Sequence, residues 1–256
     1  MSSLNELLIE NAKKGDLKEV KNLVERGADI HVRDDLAFQW SAHNGHLNVV
    51  KYLVEKGADI HVKSESALGW SVRKGHVDVV KYLVEKGVDI HVDNEEALRL
   101  SAWNGHLNVV KYFVEKGVDI HAESESALRW SAQKGHLDIV KYLVEKGADI
   151  HIFFNQALRC SAHNGHLDVV KFLVEKGADI HANSEDAIQS SAWYGHLDVM
   201  KYLVEKGADI HTDFNFETMN EVTKEFLKQE IKNRKLKIEA TGHLVNDFIC
   251  EWLWKP

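Results

Sequence analysis

Between residues 46 and 56 the chain alternates apolar and polar positions with a helical period. Leu47, Val50, Leu53 and Val54 fall three and four apart on one stripe, and Val49 and Tyr52 widen it. Spacing of this kind predicts a helix over 46–56, buried on more than one side. Just before it, "DDLAFQWSAHN" (34–44) predicts a second short helix. The two segments end on Gly45 and Gly57, a residue that accepts the left-handed conformation with which helices commonly stop. The whole arrangement then returns. "KYLVEKGADIH" begins at 51, 141 and 201, with close variants at 81, 111 and 171, and "KNLVERGADIH" begins at 21. "GH" recurs at 45, 75, 105, 135, 165 and 195, a period of thirty residues without a slip. Fourteen of the sixteen glycines fall at these two helix-ending positions. A regular period of this length indicates helix pairs that stack on one another.

Comparing copies within the chain predicts where each first helix starts. Six places before Trp40 and its equivalents stand Asp34, Ser64, Asn94, Ser124, Phe154 and Ser184, five of them good N-caps. The next column, Asp35, Glu65, Glu95, Glu125, Asn155 and Glu185, is mostly acidic, as a helix dipole favours in a first turn. Glu95–Arg99 and Glu125–Arg129 are then four apart, the spacing of a helical ion pair, while Asn155 leaves Arg159 without such a partner. "HIFFNQALRC" (151–160) departs most from its neighbours, with Phe153 and Phe154 in otherwise polar columns and Cys160 in a mostly apolar one.

The repeated "SAxxGHLxVVKYLVEKGADIH" resembles the ankyrin-repeat pattern "A-A-x-x-G-H" followed by a second helix and "L-L-x-x-G-A-D-x-N". The resemblance covers residues 4 to 211. "SALGW", "EALRL" and "SALRW" stand where the family has "T-P-L-H", and the period is thirty rather than thirty-three, the shortening falling in the finger between repeats. Shortened repeats with "GADIH" and "ALRW" look like those of amoeba-infecting giant DNA viruses of the mimivirus type. The resemblance implies an all-α ankyrin solenoid with short fingers. Its expected parts are a capping repeat at 1–31, six repeats over 32–211 and a divergent helical C-terminal cap at 212–256. Within that last part, "FETMNEVTKEFLKQEI" and "TGHLVNDFICEWLWKP" predict two helices on either side of the basic "KNRKLK" (232–237).

Composition narrows the function. A net charge of −8 argues against a general affinity for nucleic acid. Two cysteines fit a reducing compartment. The N-terminus shows no signal pattern and no apolar run reaches membrane length, so a cytoplasmic protein is expected, in the host cytoplasm if viral.

Candidate chemistry is sparse. Thirteen of the sixteen histidines are the repeated "GH" and "DIH" positions, and Asp16 replaces the first "GH" histidine, which suggests helix capping rather than metal binding. Phosphate loops, nucleophile elbows and His-Glu-x-x-His helices are missing from the sequence, so neither enzyme nor cofactor is expected. Cys160 reads as a buried thiol. The informative positions are those where copies differ, because the repeat demands nothing particular there. Before each "GH" stand His43 with Asn44, Arg73 with Lys74, Trp103 with Asn104, Gln133 with Lys134, His163 with Asn164, and Trp193 with Tyr194. The ankyrin resemblance places this helix end on the concave partner surface, with Phe153 and Phe154 in the adjoining finger, and Trp, Tyr and Arg dominate binding hot spots. Packing on the next repeat is the competing expectation for all of these side chains. The expected function is non-catalytic binding of an unidentified protein, a host protein among the candidates, by a monomer. The alternatives are an assembly protein self-associating through "FICEWLW" and a host-directed adaptor.

Overall fold

The computed structural model describes residues 3–61, 67–211, 214 and 219–241, with backbone alone at 94 and 235–241. The described residues form fifteen helices and no strand. First helices of the repeats are α1 (Leu4–Lys14), α3 (Val32–His43), α5 (Ala67–Lys74), α7 (Val92–Trp103), α9 (Ala122–Lys134), α11 (Ile152–His163) and α13 (Ala182–Tyr194). Second helices are α2 (Leu17–Glu25), α4 (Leu47–Glu55), α6 (Val77–Glu85), α8 (Leu107–Glu115), α10 (Leu137–Glu145), α12 (Leu167–Glu175) and α14 (Leu197–Glu205), and α15 (Glu221–Thr241) follows. The chain packs as two compact units that divide after Ser131.

Within each unit the second helices bury the stripe their spacing predicts. Val49, Val50 and Leu53 are fully shielded, as are Val169, Val170 and Leu173 in the other unit. Each such side chain contributes about 1.5–3 kcal/mol by leaving water. The first helices bury small residues, Ala37, Ser41 and Ala42 beside Phe38, which lets neighbouring helices approach closely. Ser41 satisfies its own hydroxyl by donating to the carbonyl of Phe38 at 2.7 Å. In every "DIH" the aspartate accepts from the backbone N–H of the histidine two residues on, as in Asp29 to His31 (2.9 Å) and Asp209 to His211 (2.8 Å), which fixes the turn between repeats.

The entry to the first helix differs from the N-cap the sequence predicts. Arg33, Asp34 and Asp35 are all left-handed, with φ of 52, 58 and 56°, and so are Glu123 to Glu125, Phe153 to Asn155 and Asn183 to Glu185. A left-handed turn of three residues thus precedes the regular helix, and residues such as Asp34 and Phe154 lie inside that turn. The next column is not a solvated first turn of acids. Asp35, Glu95, Glu125, Asn155 and Glu185 are buried. Each accepts from the ring Nδ1–H of the "DIH" histidine four residues earlier, at 3.0 Å for His31–Asp35, 2.9 Å for His91–Glu95 and 3.2 Å for His151–Asn155. Some reach forward as well, and Asn155 Oδ1 takes the backbone N–H of Asp179 at 3.1 Å. With Glu95 held by His91, the expected Glu95–Arg99 pair does not form, and Arg99 donates to the carbonyl of Asp93 instead (2.9 Å). Arg129 donates to the carbonyls of Ser124 and Glu123. Arg159 finds its carboxylate one repeat on, pairing with Asp186 at 2.5 Å.

The "GH" histidines do not cap their helices either, although Asp16 does, accepting from the N–H of Glu19 (3.0 Å). In unit one, Nε2–H of His46, His76 and His106 donates back across the repeat junction to the carbonyls of Lys13, His43 and Arg73, at 3.0, 3.0 and 2.8 Å. In unit two, His166 and His196 bond Gln133 and His163 at 2.9 Å in the same way. The ring lies directly against the glycine of the preceding copy. A Cβ on Gly15 would stand 2.5 Å from His46 Nδ1. Glycine is therefore required here for close approach as well as for its left-handed φ.

One further helix continues unit two. Asn220 lies against Gly195 as the histidines lie against theirs, and Thr223 donates to the carbonyl of Ala192. Counting from Asn220, buried Thr223 and Leu227 occupy the places of Val199 and Leu203 counted from His196, and Lys201 sits 5.6 Å over the Phe226 ring. α15 thus packs as the second helix of another repeat. It runs straight through 232–237, which the sequence reading placed between two helices. The second of those, 241–256, lies outside the described residues save for Thr241, the last residue of α15.

Candidate functional site

The positions that vary between copies occupy the last turn of the first helices. His43, Arg73, Trp103 and Gln133 are half-buried, whereas Lys74, Asn104, Lys134, His163 and Asn164 are exposed. Trp193 and Tyr194 keep 49% and 53% of their surface in water. At His43, Arg73, Gln133 and His163 the helix-end carbonyl is pinned from the next repeat through the "GH" histidine, and at the end of α13 Thr223 holds the carbonyl of Ala192.

In unit one the side chains interlock. The His43 ring lies 5.1 Å from Trp40 and 5.2 Å from Trp70. Lys13 Nζ caps the Trp40 ring at 4.4 Å, and the Arg73 guanidinium lies 5.2 Å from Trp70. Trp103 meets Trp130 edge-on at 5.7 Å, and Arg99 covers the same Trp130 ring at 5.4 Å. Cation–π contacts of this kind contribute about 0.5–1 kcal/mol each at exposed sites. By sequence the Trp40, Trp70, Trp130 column reads as an apolar one, whereas in the structure its rings are part of this surface. The signal was available, since Trp40–His43 and Trp70–Arg73 are three apart and so adjoin on a helix.

In unit two the columns are less charged. The His163 and Tyr194 rings meet at a tilt of 52°, with centroids 4.1 Å apart. Asn164 turns back on its own helix, donating to the carbonyl of Cys160 at 2.8 Å. Cys160 is half-buried and not fully buried as expected, and Ser190, thirty residues on, is half-buried too. Phe153 and Phe154 are exposed, at 53% and 68%, and so are not part of the core. They stand at the opposite end of α11 from His163, roughly 13 Å away along the helix. The structure therefore separates them from the helix-end group.

Titratable groups follow the same geometry. The Glu95 carboxylate raises His91 by hydrogen bond and charge, and Glu185 does so for His181. Burial lowers His76, against its bond to the carbonyl of His43. No grouping of three or more metal-ligating side chains occurs among the described residues, and none of their helices is long and apolar enough to cross a membrane.

The family model described as ankyrin repeats (three copies) matches residues 8–94, 90–154 and 153–213. Among solved structures, the human ASB11 ankyrin repeat domain is similar at a TM-score of 0.69. It is 21% identical, and the alignment covers 79% of this chain and 98% of that one. No curated protein matches the sequence. Taken with the thirty-residue helix pairs and their glycine–histidine junctions, the family match shows that the chain belongs to the ankyrin-repeat family.

Proposed function

We propose that this protein is a non-catalytic binding module that holds a partner protein against the last turns of its first helices and the turns between repeats. Ankyrin repeats generally mediate protein–protein interaction, and one observation carries the finer reading. At the positions where copies differ stand several aromatic or cationic side chains, with Trp193 and Tyr194 about half exposed at a helix end held by the Thr223 bond to the carbonyl of Ala192. A rigid scaffold that pre-orders such groups loses little entropy on binding. His43, Arg73, Lys74, Trp103, Asn104, Gln133, Lys134, His163, Asn164, Trp193 and Tyr194 form this surface, and Phe153 and Phe154 form a separate contact in the fifth full repeat. The resemblance of the shortened repeats to those of amoeba-infecting viruses supports a host cytoplasmic protein as the partner, which the module would bind as a monomer. Affinity capture compares wild type with the Trp103→Ala, Trp193→Ala double variant. Loss of the captured partner from a variant that still melts cooperatively is the expected result. An unchanged set of captured proteins would remove this surface from consideration.

A further inference from the structure

The partner's chemistry can be read from unit one, an inference that rests on the binding surface just described. Four columns line the outward face of its first helices, those of Ile9, Glu10, Lys13 and Lys14 and their equivalents at thirty-residue intervals. Across these columns up to Ser131 the sequence places six cations, Lys13, Lys14, Arg73, Lys74, Arg99 and Arg129, against one acid, Glu10. Glu10 is itself taken by Lys14 at 2.6 Å. Six positive charges less one negative leave +5 on this face of a chain whose net charge is −8. The cations are not scattered, because the indoles of Trp40, Trp70 and Trp130 each carry one on the ring.

We infer that the outward face of the first helices in unit one binds an acidic, extended segment of a partner protein. Charge complementarity sets the sign, and the half-buried indoles supply apolar area between the cations. Packed helices lie about 8–10 Å apart, while an extended chain advances about 3.3 Å per residue, so successive repeats meet every third residue of the segment. Carboxylates spaced in threes or multiples of three suit Lys13 and Arg73, which are two repeats apart. A single-stranded nucleic acid suits the face less well. Base stacking needs an open ring face, and these rings are held edge-on by neighbours and capped by cations. A dense polyanion would also meet the repulsion of the remaining chain.

The test is a selection of random peptides displayed on phage against the full chain, followed by titration of the selected peptide and its Asp-to-Asn and Glu-to-Gln counterpart. Expected are sequences enriched in Asp and Glu, binding at least tenfold tighter than the amide counterpart, and weakening as salt rises. Arg73→Glu with Lys74→Glu should cost tenfold or more, while Lys171→Glu on a second helix of unit two should leave binding unchanged. Selection of neutral or basic peptides, failure to select any, or insensitivity to the Arg73 and Lys74 reversal would overturn the inference. So would tighter binding of a single-stranded oligonucleotide than of the peptide. The Trp103, Trp193 capture comparison separates the two readings: capture lost there without acidic peptides refutes this inference alone, and capture unchanged refutes the binding surface itself.

Discussion

Gly45→Ala tests the junction between repeats most directly. Gly45 has φ +76°, and a Cβ placed on it would meet His76 at 2.5 Å from Nδ1 and 2.8 Å from Cε1 and Cγ. Two costs follow. The left-handed backbone costs an L-residue about 1–2 kcal/mol. The ring must also move, which breaks its 3.0 Å bond to the carbonyl of His43 and forfeits about 0.5–1.5 kcal/mol more. Gly57 is the control, since its φ is +102° but a Cβ there meets nothing within 4 Å. Gly57→Ala should cost the backbone component alone. For a chain of this size 1 kcal/mol shifts the melting temperature by about 2–4 °C, so Gly45→Ala should melt several degrees below wild type and measurably below Gly57→Ala. Thermal melts followed by circular dichroism, repeated in a His76→Ala background, complete a cycle. There the extra cost of Gly45→Ala should vanish, leaving the value seen at Gly57. Equal losses for Gly45→Ala and Gly57→Ala in the wild-type background would refute the close-approach argument.

Three further outcomes are expected. Because Glu95 and Glu185 raise His91 and His181 above their unfolded values, the stabilisation is complete below about pH 6.5 and fades as pH rises through the raised folded values. Denaturant midpoints of wild type and Glu95→Gln should therefore differ most near pH 6 and converge toward pH 9, and a gap independent of pH would remove the pairing argument. Asn155→Glu restores to the fifth repeat the acid that four other described copies carry, so its gain in stability should be larger at pH 6 than at pH 8 in the same assay. Phe153→Asn with Phe154→Asn places a residue tolerant of left-handed backbone at φ 47 and 57°, and should raise stability by about 1 kcal/mol while weakening partner capture; a large loss of stability would show that the rings support the fold.

The parts of this fold that repeat with hydrophobic or glycine spacing were legible in the sequence. Val49, Val50 and Leu53 and their equivalents lie where a 3.6-residue period puts them, and the fourteen periodic glycines are all left-handed. The left-handed turn was not legible because Ser, Asp and Asn suit both an N-cap and a left-handed residue, so Asp34 and Ser184 fit either reading. The histidine roles were hidden for a different reason. A perfect period says that His76 recurs but not that its partners are Gly45 and the carbonyl of His43 one copy back. The helix after Asp209 was obscured by a shift of six. Counted from Asn220 instead of from the thirty-residue frame, Thr223, Phe226 and Leu227 reproduce the second-helix pattern. The outward surface was half legible: the variable pairs were evident, but their assembly with Trp40, Trp70 and Trp130 depends on which columns adjoin across repeats.

The fifth full repeat shows how geometry can be kept while the surface is changed. Its turn has the same three left-handed residues as the others, and Asn155 Oδ1 still accepts from both His151 and Asp179, at 3.2 and 3.1 Å. An amide thus preserves the junction, though without the charge that Glu95 or Glu185 gives its histidine. Arg159 keeps its carbonyl contact too, donating to Phe153 at 3.1 Å, and takes Asp186 as its carboxylate. What changes is what the turn presents. Arg33-Asp34 and Asn183-Ser184 offer polar groups to water, whereas Phe153-Phe154 offers two rings that would each gain about 1.5–3 kcal/mol if covered. Neither the left-handed backbone nor the solvent favours phenylalanine at these positions, and the core does not use it. A covering partner of the kind proposed above would bury both rings without altering any hydrogen bond of the repeat. Restoring polar residues should for the same reason separate stability from binding, moving the two in opposite directions.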